Sequence, residues 1–211
     1  MTHEVLRVIR TRRVVRRMTA EPSDREQRIT VLNAARGAPS GGNRRLHRFM
    51  AVQRPVTLRL RRMVSPGMLQ RPTAAVVICI DWQRVAGSRI PPPNTVVAVD
   101  VGTALQTMLL AAHAIGLGAG PVMSFSKAAV RVILQLPDHL SPEVLVCLGH
   151  PAPDGPPPMR TRGRITWQSL TDWEVFPSTD ASVARGPAAS HACGRKAGLG
   201  EAGEPAEAQT P

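Results

Sequence analysis

The sequence predicts one domain of mixed helix and strand, on three observations. A chain of 211 residues, 43% hydrophobic and 20% charged, has the length and apolar content for a single core, unlike a disordered polar chain or a membrane bundle. Two continuous apolar runs, 74–80 and 144–148, are rich in β-branched residues and read as buried strands. Between them, residues 96–115 form a long apolar stretch closed by Gly116 and Gly118, the pattern of a core helix.

Taken in order, Val5, Leu6, Val8 and Ile9 recur at helical spacing, and this first helix runs into the basic, β-branched segment 10–17. Ser23 to Glu26 has capping-box form, with Ser23 accepting from the first turn and Glu26 reaching back, so a second helix is expected from there to about Gly37. The run Ala38-Pro39-Ser40-Gly41-Gly42-Asn43 is turn chemistry, since glycine permits unusual backbone angles and close approach of other groups. Residues 47–53 are strand-like and 56–63 suit a short amphipathic helix. Ser126 caps a further helix to about Leu134, stopped by Pro137, and the second apolar strand ends at Gly149. A proline-rich stretch follows at 151–158, then arginine alternating with small residues at 159–164, then a closing element at 167–176. Beyond 177 no apolar period remains, so the domain is expected over 1–176 and a disordered Ala/Gly/Pro-rich tail over 177–211.

Asp100, Gln106 and His113 interrupt the apolar stretch 96–118, which therefore reads as a buried helix and not a membrane span. No apolar signal core stands in 1–17, so a cytoplasmic home is expected. The three cysteines, Cys79, Cys147 and Cys193, have no C-x-x-C spacing, which argues against a disulfide scaffold or a metal site. Net charge is +12, yet lysine occurs only at Lys127 and Lys196 and tyrosine is absent. Two readings stand side by side: a polyanionic partner, or the arginine surplus of a compositionally skewed chain. Without aromatic interleaving or a recognition-helix motif, no specific nucleic acid is expected.

Three separated segments put arginine beside restricted backbone or expose backbone N–H groups. These are 12–17, the turn 39–43, and the triplet Arg160, Arg162, Arg164. Guanidinium forks match phosphate oxygens, and a glycine turn offers donors to polar ring edges, so together they suit one phosphorylated ligand. Asp100 reads as a cap or salt-bridge residue, His113 as a packed core histidine, and His47 as a neighbour of this region.

The order of these segments resembles the FMN-dependent nitroreductase family. Its Arg-Arg-Ser-Val-Arg-Arg-Phe-like stretch is matched by Arg12-Arg13-Val14-Val15-Arg16-Arg17-Met18. Its Ala-Pro-Ser-x-x-Asn-x-Gln-Pro-Trp-x-Phe segment is matched by Ala38-Pro39-Ser40-Gly41-Gly42-Asn43-Arg44-Arg45-Leu46-His47-Arg48-Phe49. The long helix is resembled by Asp100 to Gln106 and Leu109 to Gly118, and the late Gly-Tyr-Pro-like turn by Leu148-Gly149-His150-Pro151. The likeness spans roughly residues 4 to 176.

The resemblance implies an α+β fold with a central, mostly antiparallel sheet surrounded by helices, in a domain-entwined homodimer with FMN at the subunit interface. By the same analogy Arg12, Arg13, Arg16, Arg162 and Arg164 hold the FMN phosphate. Pro39, Ser40, Gly41 and Asn43 contact the isoalloxazine, partly from the partner subunit, and Pro121, Val122, Met123 and Ser124 pass the ring near N5. The implied activity takes hydride from NAD(P)H and delivers electrons to a nitroaromatic, quinone or similar small acceptor by a ping-pong route, the chemistry residing in FMN and not in a side-chain set. The chain departs from the pattern at Val14 for serine, at Arg45-Leu46-His47 for Gln-Pro-Trp, and at Met123-Ser124 for a glycine-bearing pair. Those changes define an alternative, a non-catalytic flavin-binding or interaction protein with a decayed site.

Overall fold

The structure is a computed structural model that describes residues 3–53, 55–61, 72–90, 95–153 and 166–174. Two compact units divide the chain, Met1–Met159 and Arg160–Pro211. The first contains α1 (Glu4–Thr11), α2 (Arg25–Arg36), a 3-10 turn at Gly41–Asn43, β1 (His47–Gln53), α3 (Val56–Arg61), β2 (Ala74–Asp81) and α4 (Trp82–Gly87). It continues with α5 (Thr95–Ala114), β3 (Gly118–Val122), α6 (Lys127–Leu134) and β4 (Leu140–Gly149). The described part of the second unit is a 3-10 turn, Trp167–Leu170, with the Trp167 and Trp173 rings edge to face at 6.4 Å.

The strands form an antiparallel sheet in the order β1-β2-β4-β3. Successive side chains of a strand point to opposite faces, and both faces here are covered. Val76, Ile78 and Ile80 of β2, with Val144, Val146 and Leu148 of β4, pack against α2 and α5 through Val31, Ala35, Val97, Met108 and Ala112. Val77 and Cys79, with Leu145 and Cys147, face the other way onto Leu60 of α3 and Val130 of α6. This explains the unbroken apolar runs: every residue of β2 is buried, so neither side needs polar residues.

Three expectations are corrected. The capping box of α2 lies one residue later, on Asp24 and Gln27, with the Asp24 N–H donating to Gln27 Oε1 at 2.9 Å. Ser23 is instead buried, and its carbonyl and hydroxyl accept from the Arg28 guanidinium. β4 starts at Leu140, not at Val144: Pro142 is tolerated because β3 pairs only with residues 145–149, and the β2 register slips at Ile78/Cys79. Helix α4, not expected from the sequence, is capped by Asp81, whose side chain accepts from the Arg84 N–H at 3.1 Å. The short helix 56–63 is observed over Val56–Arg61, and 62–71 lie outside the described residues.

Among the described residues α5 alone is long and apolar enough to cross a bilayer. Its buried face, which includes Val97, Val101, Met108 and Ala112, belongs to the core against the sheet.

Candidate functional site

The basic segment is built into the edge of the sheet. Helix α1 ends at Thr11, whose hydroxyl accepts or donates at 2.9 Å to His113 Nε2 near the end of α5, so His113 has a structural partner. The chain then turns extended at Arg12 and runs beside β3 and the end of β4. The Val15 N–H donates to the Ala119 carbonyl at 3.0 Å, the Thr19 N–H to His150 at 2.9 Å, and the Ala152 N–H to Arg17 at 3.1 Å. Two glycines admit this close passage: a Cβ on Gly118 would lie 2.8 Å from Val15 Cγ1, and one on Gly149 would lie 3.0 Å from Met18 Sδ.

The arginines of this segment differ in what they do. Arg12 is half-buried, and its Nε and Nη1 are buried without a hydrogen-bond partner. A guanidinium stays charged at any ordinary pH, so two buried orphan donors create a demand for an anion worth about 1–3 kcal/mol or more. The donor set suits phosphate oxygens, and Arg12 therefore fits the phosphate end of a flavin nucleotide. Arg13 directs Nη1 to the carbonyls of Arg10 and Arg12, both at 3.0 Å, and so closes the C-terminal end of α1. Arg16 is half-buried in the same strip. Arg162 and Arg164 lie outside the described residues.

The glycine turn is the second component. Gly42 has φ +59°, Asn43 +55° and Arg45 +49°, three left-handed residues within four positions. Such angles cost about 1 kcal/mol or more for a residue with a side chain and persist only where neighbours over-determine them. The neighbours are present. Ser40 Oγ accepts from the Arg45 N–H at 3.2 Å, Arg45 Nε donates to the Arg36 carbonyl at 3.2 Å, and Arg84 Nη1 donates to the Arg45 carbonyl at 3.3 Å. Ser40 and Gly41 are half-buried, while Pro39 and Asn43 are exposed.

Helix α5 supplies contacts that the sequence did not disclose. Asp100 is buried in the helix, its Oδ1 accepts the Gly41 N–H at 2.9 Å, and its Oδ2 is buried without a partner. Thr103 Oγ1 lies 2.9 Å from both the Pro39 and Asp100 carbonyls. A Cβ on Gly41 would sit 2.4 Å from Val96 Cγ1, so a side chain there would have to displace Val96. Asp100 is thus a cap, as its residue type suggested, but of a turn 59 residues away; a carboxylate set among apolar helix neighbours was the available signal.

His47 starts β1 just beyond this turn, buried, with Nδ1 unpartnered. Burial pushes its pKa down, Asp100 pulls it up and Arg45 pushes it down, with a net lowering. Asp81, also buried, is a structural junction: Arg48 Nε reaches it at 3.2 Å and Arg84 Nε at 3.7 Å. Its burial alone would raise the carboxyl, but the Arg84 N–H, Arg48 and nearby His139 together hold it below the usual range.

At the far end of β3, Pro121 is half-buried, Val122 buried, and Met123 and Ser124 exposed. Pro121 sits on the outer strand of the sheet, where proline is tolerated. Turn and basic segment are tied to the same helix, one near Asp100 and Thr103 and the other at His113. Ten residues of helix separate Thr103 from His113, about 15 Å. Among the described residues no group of three or more His, Cys, Asp or Glu side chains could hold a metal ion.

Comparison with known proteins bears on the family and the fold. The model of the Nitroreductase family matches residues 9–83 and 72–150. The NADPH-flavin oxidoreductase of Vibrio harveyi is 29% identical over 164 residues, which cover 71% of this chain and 66% of that longer protein. The NADH dehydrogenase of Thermus thermophilus is 28% identical over 179 residues, covering 71% of this chain and 87% of its own. Among solved structures, nitroreductase A from Vibrio parahaemolyticus superposes with a TM-score of 0.73 at 24% identity, covering 87% of this chain and 82% of that one. NfrA1 of B. megaterium gives 0.74 at 22% identity, covering 86% and 78%. These structural likenesses establish the α+β fold.

Proposed function

Because the chain belongs to the nitroreductase family and is on that ground an oxidoreductase, we propose that it is an FMN-dependent enzyme that takes reducing equivalents from NAD(P)H. The electrons pass to a small electrophile, a nitroaromatic, quinone or similar acceptor, in two half-reactions that use one space in turn. The observation that carries the reading is Arg12, a guanidinium with two buried, unpartnered donors, on a segment that resembles the family's basic stretch and lies within the matched residues 9–83.

Arg12, Arg13 and Arg16 would hold the phosphate, with Arg162 and Arg164 from the later chain; Arg13 also steadies the end of α1 through its Nη1. Pro39, Ser40, Gly41 and Asn43 would contact the ring system, with Pro121, Val122, Met123 and Ser124 beside it. Bound FMN supplies the two-electron exchange between donor and acceptor. The chain's contribution is to fix that group, present exposed Met123 and Ser124 to the space beside it, and hold the turn rigid.

A homodimer completes the reading. Val5, Leu6 and Ile9 of α1 and Val96 and Val99 of α5 are exposed large apolar residues, and a subunit interface would cover them. The separation of turn and basic segment along α5 is consistent with each subunit lending its turn to its partner's ligand. On this reading the flavin-binding domain would run over 1–176, with 177–211 as a tail.

The test is a visible absorption spectrum of the purified protein with added FMN, followed by anaerobic NADPH or NADH in the same cuvette, with mass measured by light scattering. Bound flavin that bleaches supports the oxidoreductase reading. Bound flavin that stays oxidised with both donors favours a binding protein with a decayed site. Failure to bind FMN overturns the assignment of Arg12.

A further inference from the structure

Val96, Asp100 and Thr103 stand at i, i+4 and i+7 and so form one stripe of α5. Along that stripe the turn is held at three successive places: Thr103 Oγ1 at the Pro39 carbonyl, Asp100 Oδ1 at the Gly41 N–H, and Val96 against the Gly41 backbone. A carboxylate in this position is unfavourable for the helix itself, because a buried polar oxygen without a partner, here Oδ2, loses its hydration and gains nothing. An apolar residue would serve the core better. The turn, in contrast, needs an external strut, since Gly42, Asn43 and Arg45 are all left-handed and the Gly41 N–H has this one acceptor. His47, with its buried and unpartnered Nδ1, interacts electrostatically with the same carboxylate and packs at the start of the adjoining strand.

We propose that Asp100 is the positioning residue of the Pro39–Asn43 turn, with Thr103 as its second strut, so that α5 sets where the turn meets a bound ligand. As far as that ligand is FMN, the inference rests on the function proposed above; as far as it concerns the turn, it stands without it. Asp100 acts through Gly41 and so is a positioning residue and not a catalytic one.

The experiment uses the full chain and four variants, Asp100→Asn, Asp100→Ala, Thr103→Val and Thr103→Ser, each checked by far-ultraviolet circular dichroism. Amide hydrogen exchange at Gly41 is read in the flavin-free protein, and FMN affinity and the shape of its visible bands are read on titration. In Asp100→Ala the Gly41 amide is expected to exchange at least about tenfold faster, with FMN affinity lowered about tenfold, the scale of one lost charge-assisted hydrogen bond. Asp100→Asn retains an acceptor and should fall between. Thr103→Val should shift the flavin bands while Thr103→Ser restores them, a rescue that a merely bulky structural role would not produce. Unchanged Gly41 exchange in Asp100→Ala overturns the proposal. So does a loosened Gly41 with FMN affinity and spectrum unchanged. If Asp100→Ala does not fold, the Thr103 pair decides alone, and equal behaviour of Val and Ser overturns it. If the wild type binds no FMN, the flavin reading fails while Gly41 exchange still judges the strut.

Discussion

Val15 lies over Gly118 so closely that a single methyl at position 118 would come within 2.8 Å of Val15 Cγ1. With the Val15 N–H on the Ala119 carbonyl at 3.0 Å, this contact sets the distance between the basic segment and the outer strand of the sheet. Arg12 is carried on that segment, three residues before Val15.

Gly118→Ala is accordingly expected to destabilise the protein by about 1–3 kcal/mol, the usual cost of overpacking a closed contact. Val15→Ala in the same chain should recover part of the loss, because it removes both Cγ atoms that the new methyl would meet. Urea unfolding of the two single variants and the double variant measures this, and strictly additive losses would contradict the contact.

Arg12→Met separates ligand binding from folding. FMN affinity is expected to fall by roughly 1.5–3 kcal/mol, the scale of a hydrogen bond to a charged group. The flavin-free protein should hold its stability or gain some, because the substitution removes buried donors that have no partner. Isothermal titration with FMN and urea melts of the flavin-free protein read the two effects, and a variant that loses stability while keeping FMN affinity would move the phosphate site elsewhere.

His47 makes stability depend on pH. Its folded-state pKa is lowered, first by burial, with Asp100 opposing and Arg45 adding to the effect. The unfolded chain therefore binds the proton more readily, and the sign follows: the contribution is fully present above the unfolded value of about 6.5 and is lost as the pH falls through the lower folded value. His47→Phe keeps an aromatic ring and removes the titration. The gap between wild-type and variant urea midpoints should close or reverse between about pH 7 and 5; parallel profiles would contradict the buried histidine.

Cys79 and Cys147 are buried, and burial pushes both thiols up to about 12, with Glu143 adding to the effect on Cys79. A thiolate is the reactive form, so neither should react with a thiol reagent at pH 8 in the folded protein. In Cys193→Ser no thiol should be released until denaturant is added. The linked stability is present below the unfolded thiol value of about 8.5 and is lost as the pH rises toward the folded value.

Much of the fold was legible because local chemistry wrote it. β1 at His47–Gln53 and the helix Lys127–Leu134 with its Ser126 cap were read from the sequence at their observed bounds. Apolar runs in 74–80 and 144–148 and the long helix closed by Gly116 were equally clear, since burial on both faces leaves an unbroken apolar signature. The reading failed where burial overrode local form. Ser23 had the chemistry of a cap but sits inside, leaving Asp24 to do the work. The apolar run 144–148 also understated β4, which begins at Leu140 and carries Pro142 where β3 does not pair.

What the sequence by itself determined, then, was which segments are apolar, which turn is rich in glycine, and which stretch concentrates arginine. Only the tertiary structure decided that Asp100 caps Gly41, that Gly118 exists for Val15, and that Arg12 keeps buried donors without partners while Arg13 turns back to α1. Spacing along a chain carries period and propensity, which are local. A hydrogen bond across 59 residues and a contact excluded by one methyl depend on how close two distant backbones come, and that distance is set by the packing of α5 and the sheet between them.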